Sequence, residues 1–249
     1  MAIVIRTQQE IEKMRRSGIA LRAVLDAVRS VVVAGSTTMD LERVAEAKIA
    51  ETGGISAFKG YRGYPRTLCT SINSEVVHGI PSKKHTLREG DVVSIDCGVV
   101  IDGYYSDSAI TVPVGKVAPE VEKLLQVTES SLASAIETVR PGVHMGDVGA
   151  AVQDMVEAAG FSVVREFVGH GIGTNMHEDP QVPNYGRRGI GIKLREGMVL
   201  AIEPMVNVGK PEVRVLEDGW TAVTVDGSVS AHFEHTVAVT ADGAQVLTA

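Results

Sequence analysis

The chain is poor in several features, and each shortage narrows the class of protein. It has 2 cysteines, Cys69 and Cys97, too few for a disulfide framework and typical of a reducing compartment, so we expect a cytoplasmic protein. It has no run of about 18 apolar residues that would span a membrane. Residues 1–7 contain no charged segment followed by an apolar run of signal length, so we expect no secretion signal.

Positive charge is also scarce. The 24 Lys and Arg residues against 31 Asp and Glu residues give a net charge of -7. Binding to a nucleic-acid backbone requires a basic surface, so we do not expect nucleic acid as the main ligand. Aromatic residues make up 4% of the chain, yet 44% hydrophobic and 22% charged residues over 249 positions are ordinary for a globular protein with a large core. The length allows one domain or two.

Residues 92–107 predict a β-hairpin that carries two carboxylates on one face. Asp102-Gly103 separates two β-prone runs, and Asp-Gly favours a two-residue turn because both central residues need a positive φ. Counting outward places Asp96 opposite Ala109, and Asp107 shares the face of Ala109. The two carboxylates are then diagonal neighbours, about 7–8 Å apart at the backbone. The alternatives are a bulge that changes the face, or a carboxylate at the solvated end of an edge strand.

Apolar residues at helical spacing predict four helices, over residues 8–33, 40–51, 117–139 and 147–159. Residues 58–80 are rich in Gly, Tyr, Pro and short β-prone runs, which predicts loops and strands. The two groups of helices, separated by β-prone sequence, suggest that the chain repeats itself.

One constant spacing in the numbering, which we call the repeat offset, relates the two groups. It carries Gly35, Asp40 and Gly53 onto Gly142, Asp147 and Gly160, respectively. It also carries residues 87–90 onto 194–197, and Asp96 onto Glu203. We interpret this as an internal duplication, roughly 1–110 and 111–249, within one catalytic domain spanning 1–249; coincidence among common residues is the alternative. Two such halves predict an α+β fold with helices packed on one side of a shared antiparallel sheet, and they place Asp96 and Glu203 at equivalent points.

Histidines and one further acidic residue complete the polar set. His170 is bracketed by glycines in residues 169–173, where the backbone can approach closely. This segment lacks the lysine and spacing of a phosphate-binding P-loop, which argues against a phosphate site. Residues 231–239 predict one strand in which Glu234 shares a face with His232 and Thr236, and Glu234 alone is ordinary for a surface. Of the remaining histidines, we expect His85, His144 and His232 to be structural. The role of His235 stays open, and His78 and His177 lie in motifs considered below.

A site built from these residues would be rich in carboxylate and poor in imidazole. Its members are Asp96, Asp107, Glu203, Glu234 and His170. Such ligands suit oxygen-preferring or borderline divalent ions, among them manganese, iron, cobalt and zinc. Four negative charges match two divalent ions about 3.5–4 Å apart, sharing a water that ionises near neutral pH and acts as the nucleophile. Asp107 and Glu234 are the natural bridges between the two ions.

Several motifs, spread in the same order along nearly the whole chain, resemble those of a known family. They occupy residues 60–65, 71–73, 78–81, 95–107, 169–180, 202–205, 218–221 and 233–235. With them the chain resembles the short bacterial form of the type I methionine aminopeptidases, of the M24 peptidase family. The resemblance implies the pita-bread fold, with two pseudo-symmetric halves on a curved antiparallel sheet. It also implies hydrolytic removal of the initiator methionine from nascent proteins whose second residue is small.

The same resemblance implies a role for each motif residue. Asp107 and Glu234 would bridge two divalent ions, Asp96 would bind one ion, and His170 and Glu203 the other. Glu203 would also shuttle protons. His78 would contact the scissile amide and His177 the substrate carbonyl oxygen, where charge develops in the transition state.

The implied methionine pocket is an apolar slot. Its members are Tyr61, Tyr64, Cys69, Met176 and Trp220. The chain departs from some relatives at Phe58, where a cysteine can stand, and at Met176, where an aromatic residue is frequent. Both departures bear on the shape of the pocket and leave the chemistry unchanged. The implied partners are nascent polypeptide N-termini and, transiently, the ribosome, and we expect a monomer with no membrane partner.

Alternatives come from other subfamilies and from another class of protein. An X-Pro dipeptidase or aminopeptidase P shares the ligands but carries an additional N-terminal domain, whereas helical periodicity here starts near residue 8. Type II methionine enzymes carry a helical insertion in the second half, yet the repeat offset stays constant through Glu203. A binding protein that kept the fold without catalysis would be expected to lack a metal ligand, and the sequence contains all five.

Overall fold

The computed structural model describes residues 2–249, so the predicted domain span of 1–249 begins one residue outside the described part. Four helices are found there: α1 (Gln8–Arg29), α2 (Thr38–Thr52), α3 (Pro119–Thr138) and α4 (Met145–Ala158). All four predicted helices are therefore confirmed. The largest difference is at the C-terminus of α1, which ends at Arg29 rather than at residue 33. Residues 31–33 are three valines, whose β-branched side chains are restricted in a helix.

Local capping explains where two of the helices begin. Thr7 precedes α1, and its side chain accepts a hydrogen bond from the Glu10 backbone N–H while Glu10 accepts from the Thr7 N–H. Thr37 and Asp40 form the same reciprocal pair before α2. This capping box satisfies backbone donors that have no partner inside the helix. Helix α2 ends at Thr52 and is followed by Gly53, whose φ of 73° is left-handed.

Fifteen strands are found in residues 2–249. The strands of the first half are β1 (Ile55–Ser56), β2 (Leu68–Ile72), β3 (Glu75–Val77), β4 (Val92–Ile101) and β5 (Tyr104–Pro113). Those of the second half are β6 (Ser162–Val163), β7 (Gly169–Gly171), β8 (Glu178–Val182), β9 (Val199–Ile202), β10 (Met205–Asn207), β11 (Val213–Val215), β12 (Ala222–Thr224), β13 (Ser230–His232), β14 (Glu234–Thr240) and β15 (Gly243–Val246).

The strands form one large antiparallel sheet and two small ones. The nine-stranded sheet has the order β1-β4-β5-β14-β9-β7-β8, with β2 also paired to β4 and β15 to β14. The small sheets have the orders β13-β10-β6 and β11-β12-β3. Helix α1 packs on α2, β4 and β5, while α3 packs on α4 and contacts β9, β13 and β15. The large sheet therefore joins strands from both halves, and its central strands lie between β4 and β7.

The predicted hairpin is confirmed. Ile101 pairs with Tyr104, and Asp96 pairs with Ala109 without a bulge. The turn residues Asp102 and Gly103 have φ values of 52° and 78°, as a two-residue turn of this kind requires.

One strand prediction is wrong. Residues 231–239 form two strands rather than one, because β13 ends at His232 and β14 begins at Glu234. β13 pairs with β10 in a small sheet, whereas β14 pairs with β5 and β9 in the large sheet. His232 and Glu234 consequently do not share a face. Alternation of side chains does not reveal that a strand changes sheets, since the change depends on the partner strands.

Backbone hydrogen bonds recur at the repeat offset. The Gly35 N–H donates to the Leu87 carbonyl at 2.9 Å, and the Gly142 N–H to the Leu194 carbonyl at 2.9 Å. The isolated bridge between Thr37 and Thr86 has its equivalent between His144 and Lys193. Equivalent backbone positions thus make equivalent contacts, while the division into one catalytic domain stays a prediction.

No helix within residues 2–249 has both the length and the apolar character that crossing a bilayer requires.

Candidate metal centre

Five neighbouring strands carry the predicted metal ligands. Ala109 of β5 pairs with Asp96 on one side and with Glu234 on the other. Asp107 lies on β5 two residues before Ala109, and Glu203 directly follows β9. His170 lies on β7, opposite Ala201 of β9. The sheet order β4-β5-β14-β9-β7 therefore brings all five side chains to one cavity.

Three of the ligands form a compact buried group. One ligand atom each from Asp107, His170 and Glu234 lies within 4.8 Å of the others. Asp107, His170 and Glu234 are 4%, 8% and 2% exposed. Glu234, which taken alone would be ordinary on a surface, is buried because its neighbours in the sheet cover it. The His170 Nε2 atom lies 3.8 Å from Asp107 Oδ2 and 3.6 Å from Glu203 Oε1.

The imidazole of His170 is oriented by its backbone surroundings. Its Nδ1 atom lies 2.8 Å from the Gly171 carbonyl oxygen, which can only accept a hydrogen bond, so Nδ1 carries the proton. Nε2 is then unprotonated and faces the carboxylates. This tautomer is the one a metal ligand needs, and a backbone carbonyl is a common orienting partner.

Several carboxylate oxygens in this group lack a hydrogen-bond partner. Within residues 2–249 these buried, unpartnered atoms include Asp96 Oδ1, Asp107 Oδ1 and Glu234 Oε1. Buried polar atoms are nearly always paired, and a buried carboxylate without compensation is strongly disfavoured. The donor set and the unpartnered oxygens fit a divalent cation, which would neutralise the charges and use the free lone pairs.

The pKa values show how strongly the site disfavours its own charges. Burial raises the pKa of Asp96 to about 7, and a hydrogen bond with Asp107 moderates the rise. Burial, followed by the charges of neighbouring carboxylates, raises the pKa values of Asp107, Glu203 and Glu234 well above their ordinary range. Burial lowers the pKa of His170 to about 3. Without a cation, the site therefore favours a neutral imidazole and protonated carboxyl groups, and a bound cation would favour the ionised carboxylates.

Two further histidines form a wall of the cavity. The His177 ring lies 4.2 Å from the ring of His170, and its Nδ1 atom lies 2.9 Å from the Tyr61 hydroxyl. His78 has a φ of 62° and packs edge-on against Phe167 at 5.4 Å. Burial, with the charge of His177, lowers the pKa of His78 to about 4, so its imidazole is neutral at pH 7.

An apolar pocket adjoins the carboxylates. The predicted pocket residues line the same cavity as the metal ligands, together with Phe58. The Tyr64 and Trp220 rings are in edge contact at 5.0 Å, and Cys69 lies opposite Asp96 in the pairing of β2 and β4. The buried Tyr64 hydroxyl lies 2.9 Å from the Leu68 carbonyl oxygen and 3.0 Å from that of Gly79, and it can donate its proton to either one. Tyr64 thereby fastens the pocket wall to the residue that follows His78.

Sequence reasoning missed some residues that line the cavity. Phe167 and Val168 directly precede the Gly-His-Gly motif, and Arg62 lies inside the motif at 60–65. Their positions beside motif residues are the signal that could have found them. Arg62 has a φ of 49° and its guanidinium lies 5.4 Å from the Tyr61 ring.

The other four histidines have environments that differ from one another. His85 is exposed, and the His144 N–H donates to Asp147 at 2.9 Å. His235, whose role the sequence leaves open, has its Nδ1 atom 2.9 Å from the Thr248 hydroxyl, a structural contact. His232 is buried, but in the described part of the chain its Nε2 atom has no hydrogen-bond partner. The expectation that His232 is structural stays a prediction.

The repeated halves, the curved antiparallel sheet and the buried carboxylates with one imidazole define the class: a protein with a divalent-metal site between two similar α+β halves. Comparison with known proteins then identifies the family. The model of metallopeptidase family M24 matches residues 12–241, and the chain belongs to this family.

Individual relatives agree with the family. A methionine aminopeptidase of Clostridium perfringens is 49% identical over 246 residues, which cover 99% of this chain and 98% of the relative. The crystal structure of a methionine aminopeptidase from Thermotoga maritima superposes with a TM-score of 0.98 at 49% identity, covering 99% of both chains. A prolidase from Pyrococcus horikoshii, 21% identical, gives a TM-score of 0.77 and is covered over 63% of its length, which shows the fold alone. The predicted pita-bread fold is confirmed.

Proposed function

We propose that this protein is a metal-dependent methionine aminopeptidase that removes N-terminal methionine from polypeptides with a small second residue. The observation that carries the proposal is the juxtaposition of unpartnered, buried carboxylate oxygens with an apolar pocket in one cavity. Such a cavity can hold an apolar side chain while the adjoining peptide bond lies at the metal ligands. The near-complete match to methionine aminopeptidases supports the choice of methionine.

We further propose that the site holds two divalent ions, from among cobalt, manganese, iron and zinc. Asp107 and Glu234 would bridge them, Asp96 would bind one, and His170 with Glu203 the other. Four ionised carboxylates would carry four negative charges, which two divalent ions would balance, and three buried oxygens without a partner in the described residues support this number. When bound, the ions supply Lewis-acid chemistry, since they lower the pKa of water and polarise a carbonyl group.

The chain's own residues would handle protons and charge. Glu203, ionised in the metal-loaded site, would accept a proton from the attacking water on a carboxylate oxygen and deliver it to the leaving amine. If the Tyr61 hydroxyl donates to Nδ1 of His177, then Nε2 carries the proton and can donate to the substrate carbonyl oxygen. His78, neutral at pH 7, would hydrogen-bond to the scissile amide.

The apolar wall would select the methionine side chain. Met176 is 3% exposed and Tyr64 is 3% exposed, so both are already ordered before a substrate enters. Sulfur makes favourable contacts with aromatic ring edges, and the rings of Tyr61, Tyr64 and Trp220 are available for the substrate thioether. Phe58 and Met176 would set the width of the slot.

We also propose that the enzyme acts in the cytoplasm as a monomer on nascent polypeptides, with transient association to the ribosome. The family resemblance and the cysteine usage support this setting.

Hydrolysis of Met-Ala-Ser by metal-stripped protein, with and without added manganese, iron, cobalt or zinc, tests the proposed function. Leu-Ala-Ser tests the methionine pocket, Met-Leu-Ser tests the small second residue, and a Leu-Pro dipeptide tests the prolidase alternative. We expect metal-dependent release of methionine from Met-Ala-Ser, with release from the control peptides lower by about 10²-fold or more, as expected when a pocket discriminates by lost contacts and clashes.

Site variants make the same test specific. We expect Asp107→Asn to abolish activity and His78→Ala to slow it by about 10²-fold, the usual effect of removing one transition-state hydrogen bond. Asp102→Asn is the matched control, because it makes the same change on the exposed turn of the same hairpin and Asn tolerates a positive φ. A folded, metal-loaded protein that releases no methionine with any ion would refute the proposal.

A further inference from the structure

The loop of residues 172–177, between β7 and β8, carries two residues of the site. Met176 lines the apolar pocket, and the His177 ring lies beside His170. His177 is exposed at the cavity, where it contacts Tyr61 and His170. Contacts on the other side of the loop, away from the cavity, also hold it.

A buried ion pair ties this loop to the N-terminal segment. The Arg6 Nη2 atom lies 2.6 Å from Glu178 Oε1 and 2.5 Å from Glu178 Oε2. Their side chains are only 6% and 8% exposed. The next carboxylate, that of Glu10, is 3.6 Å from the guanidinium, and within residues 2–249 the buried Nε atom of Arg6 has no partner. Glu178 is therefore the main compensation for a buried cation, and a buried pair with good geometry is stiff.

The Glu178 carboxylate also holds the loop backbone. Its Oε1 atom accepts hydrogen bonds from the backbone N–H groups of Thr174 and Asn175, each at 3.0 Å. These two residues directly precede Met176. The guanidinium of Arg6 packs on Gly173, where any Cβ would overlap it. The Glu178 carboxylate thus connects Arg6 to Thr174 and Asn175, and the guanidinium itself contacts Gly173.

Arg6 is itself anchored to the large sheet and to α1. Its N–H donates to the Gly197 carbonyl at 2.7 Å, two residues before β9 begins. The following residue, Thr7, caps α1. On the other side of the loop, the Tyr105 N–H of β5 donates to the Gly173 carbonyl at 2.8 Å. The loop is therefore held between β5 and the N-terminal segment; the contact with β5 is made by the backbone, and the contact with the Arg6 guanidinium by a side chain.

We infer that Arg6 is a positioning residue for the reaction, which holds residues 172–177 through Glu178 so that His177 and Met176 face the metal centre. The expected effect on catalysis rests on the proposed function, whereas the positioning of the loop rests on the contacts of Arg6 alone. Since His177 would act on charge that develops in the transition state, loss of Arg6 lowers kcat more than it raises KM.

Hydrogen exchange of the full-length protein, with Mn²⁺ present, tests the geometry without relying on activity. In Arg6→Met, which removes the cation but keeps an apolar stem, we expect the Thr174 and Asn175 amides to exchange about tenfold faster than in the wild type, because local opening sets their exchange. Arg15→Met is the matched control, since Arg15 pairs with Glu12 on the exposed face of the adjoining helix. Unchanged exchange in Arg6→Met would overturn the inference.

A double-mutant cycle with His177→Ala tests the consequence. We expect Arg6→Met to lower kcat for Met-Ala-Ser by about 10- to 100-fold with a smaller change in KM, as expected for a misplaced catalytic group. In the His177→Ala background the same change should lower kcat by less than about twofold. Equal losses in both backgrounds would overturn the inference, because Arg6 would then act elsewhere.

A substitute variant and the exchange rates distinguish loss of folding, failure of the proposed function and failure of the inference. If the unfolding midpoint of Arg6→Met falls below the assay temperature, Arg6→Lys replaces it. We expect its Thr174 and Asn175 amides to exchange faster than in the wild type and in Arg15→Met, since lysine keeps a cation but lacks the guanidinium plane that packs on Gly173. If the wild type releases no methionine, the proposed function fails, while the exchange rates still decide whether Arg6 holds the loop.

Discussion

The two halves of the molecule share a backbone arrangement but differ in the side chains that they contribute to the site. Ser71 of β2 lies opposite Ser94 of β4, whereas His170 of β7 lies opposite Ala201 of β9. Ala201 is the equivalent of Ser94 at the repeat offset, just as Glu203 is the equivalent of Asp96. A serine in one half therefore stands where a metal-facing imidazole stands in the other. The repeated scaffold supplies positions, and the side chains at those positions decide what each half contributes.

The connections between equivalent strands differ even more. In the first half, β4 and β5 are joined by the two-residue turn at Asp102 and Gly103. In the second half, β9 and β14 are separated by residues 203–233, which form β10 to β13 and contain Trp220. One side of the apolar pocket comes from this long connection. The pocket is asymmetric because the halves differ in their connections, although both reach the metal centre with a carboxylate.

The largest expected effect compares the equivalent carboxylates. We expect Asp96→Asn and Glu203→Gln each to lower bound metal from about two ions to about one per chain and to lower kcat/KM by about 10³-fold. Equilibrium dialysis followed by elemental analysis, with Met-Ala-Ser kinetics, measures both quantities. If either variant retained both ions, the proposal that each half completes one ion site would be wrong.

Equivalent core positions test whether the helices of the two halves pack alike. Leu41 of α2 and Val148 of α4 are related by the same offset, and both are 0% exposed. We expect Leu41→Ala to lower the free energy of unfolding by about 2–5 kcal/mol, and Val148→Ala by less because fewer carbons are removed. Urea denaturation measures this change. We expect the kcat of the metal-loaded protein to stay unchanged in both variants. A greater loss of unfolding free energy in Val148→Ala than in Leu41→Ala would contradict equivalent packing in the two halves.

The metal-free protein should show an unusual dependence on pH. The pKa of Asp96 is raised from 3.8 to about 7, so the folded state keeps a proton that the unfolded chain has released. The corresponding stabilisation is present below about pH 4 and is lost as the pH rises through about 7. Relative to the wild type, metal-free Asp96→Asn should therefore gain roughly 2–3 kcal/mol more at pH 8 than at pH 5, because the interval from pH 5 to the folded-state pKa covers about two pKa units at about 1.4 kcal/mol each. Thermal unfolding at both pH values measures the difference, and an equal gain at both would contradict it.

The smallest effect compares the helix caps. Thr37 makes a reciprocal capping box with Asp40, whereas at the equivalent position the His144 N–H donates to Asp147. We expect Thr37→Ala to lower the free energy of unfolding by about 1 kcal/mol and His144→Ala by less, because the backbone N–H remains after the second change. Chemical denaturation resolves the two. A larger loss in His144→Ala would show that its side chain, rather than its backbone, caps α4.

Much of the fold and site was predictable because it depends on local or periodic features. The Asp102-Gly103 turn sets the register that places Asp96 opposite Ala109. Helical periodicity places α1 to α4, and the repeat offset relates α2 to α4. Counting along the hairpin is enough to place Asp107 near Asp96. The roles of the ligands come from the family resemblance, since no local rule says that strands far apart in the chain meet.

The sequence by itself determined the hairpin and the helices, because φ preferences and side-chain periodicity act over a few residues. It also determined the equivalence of Asp96 with Glu203, because the repeat offset can be read along the whole chain. Only the tertiary structure decided that the strand changes sheets at Phe233, that Glu234 is buried, and that Arg6 meets Glu178 across 172 residues of chain. The physical reason is the same in each case. The burial and charge compensation of a side chain depend on which residues pack around it. Those neighbours are set by how the sheets pack on one another rather than by adjacent residues in the chain.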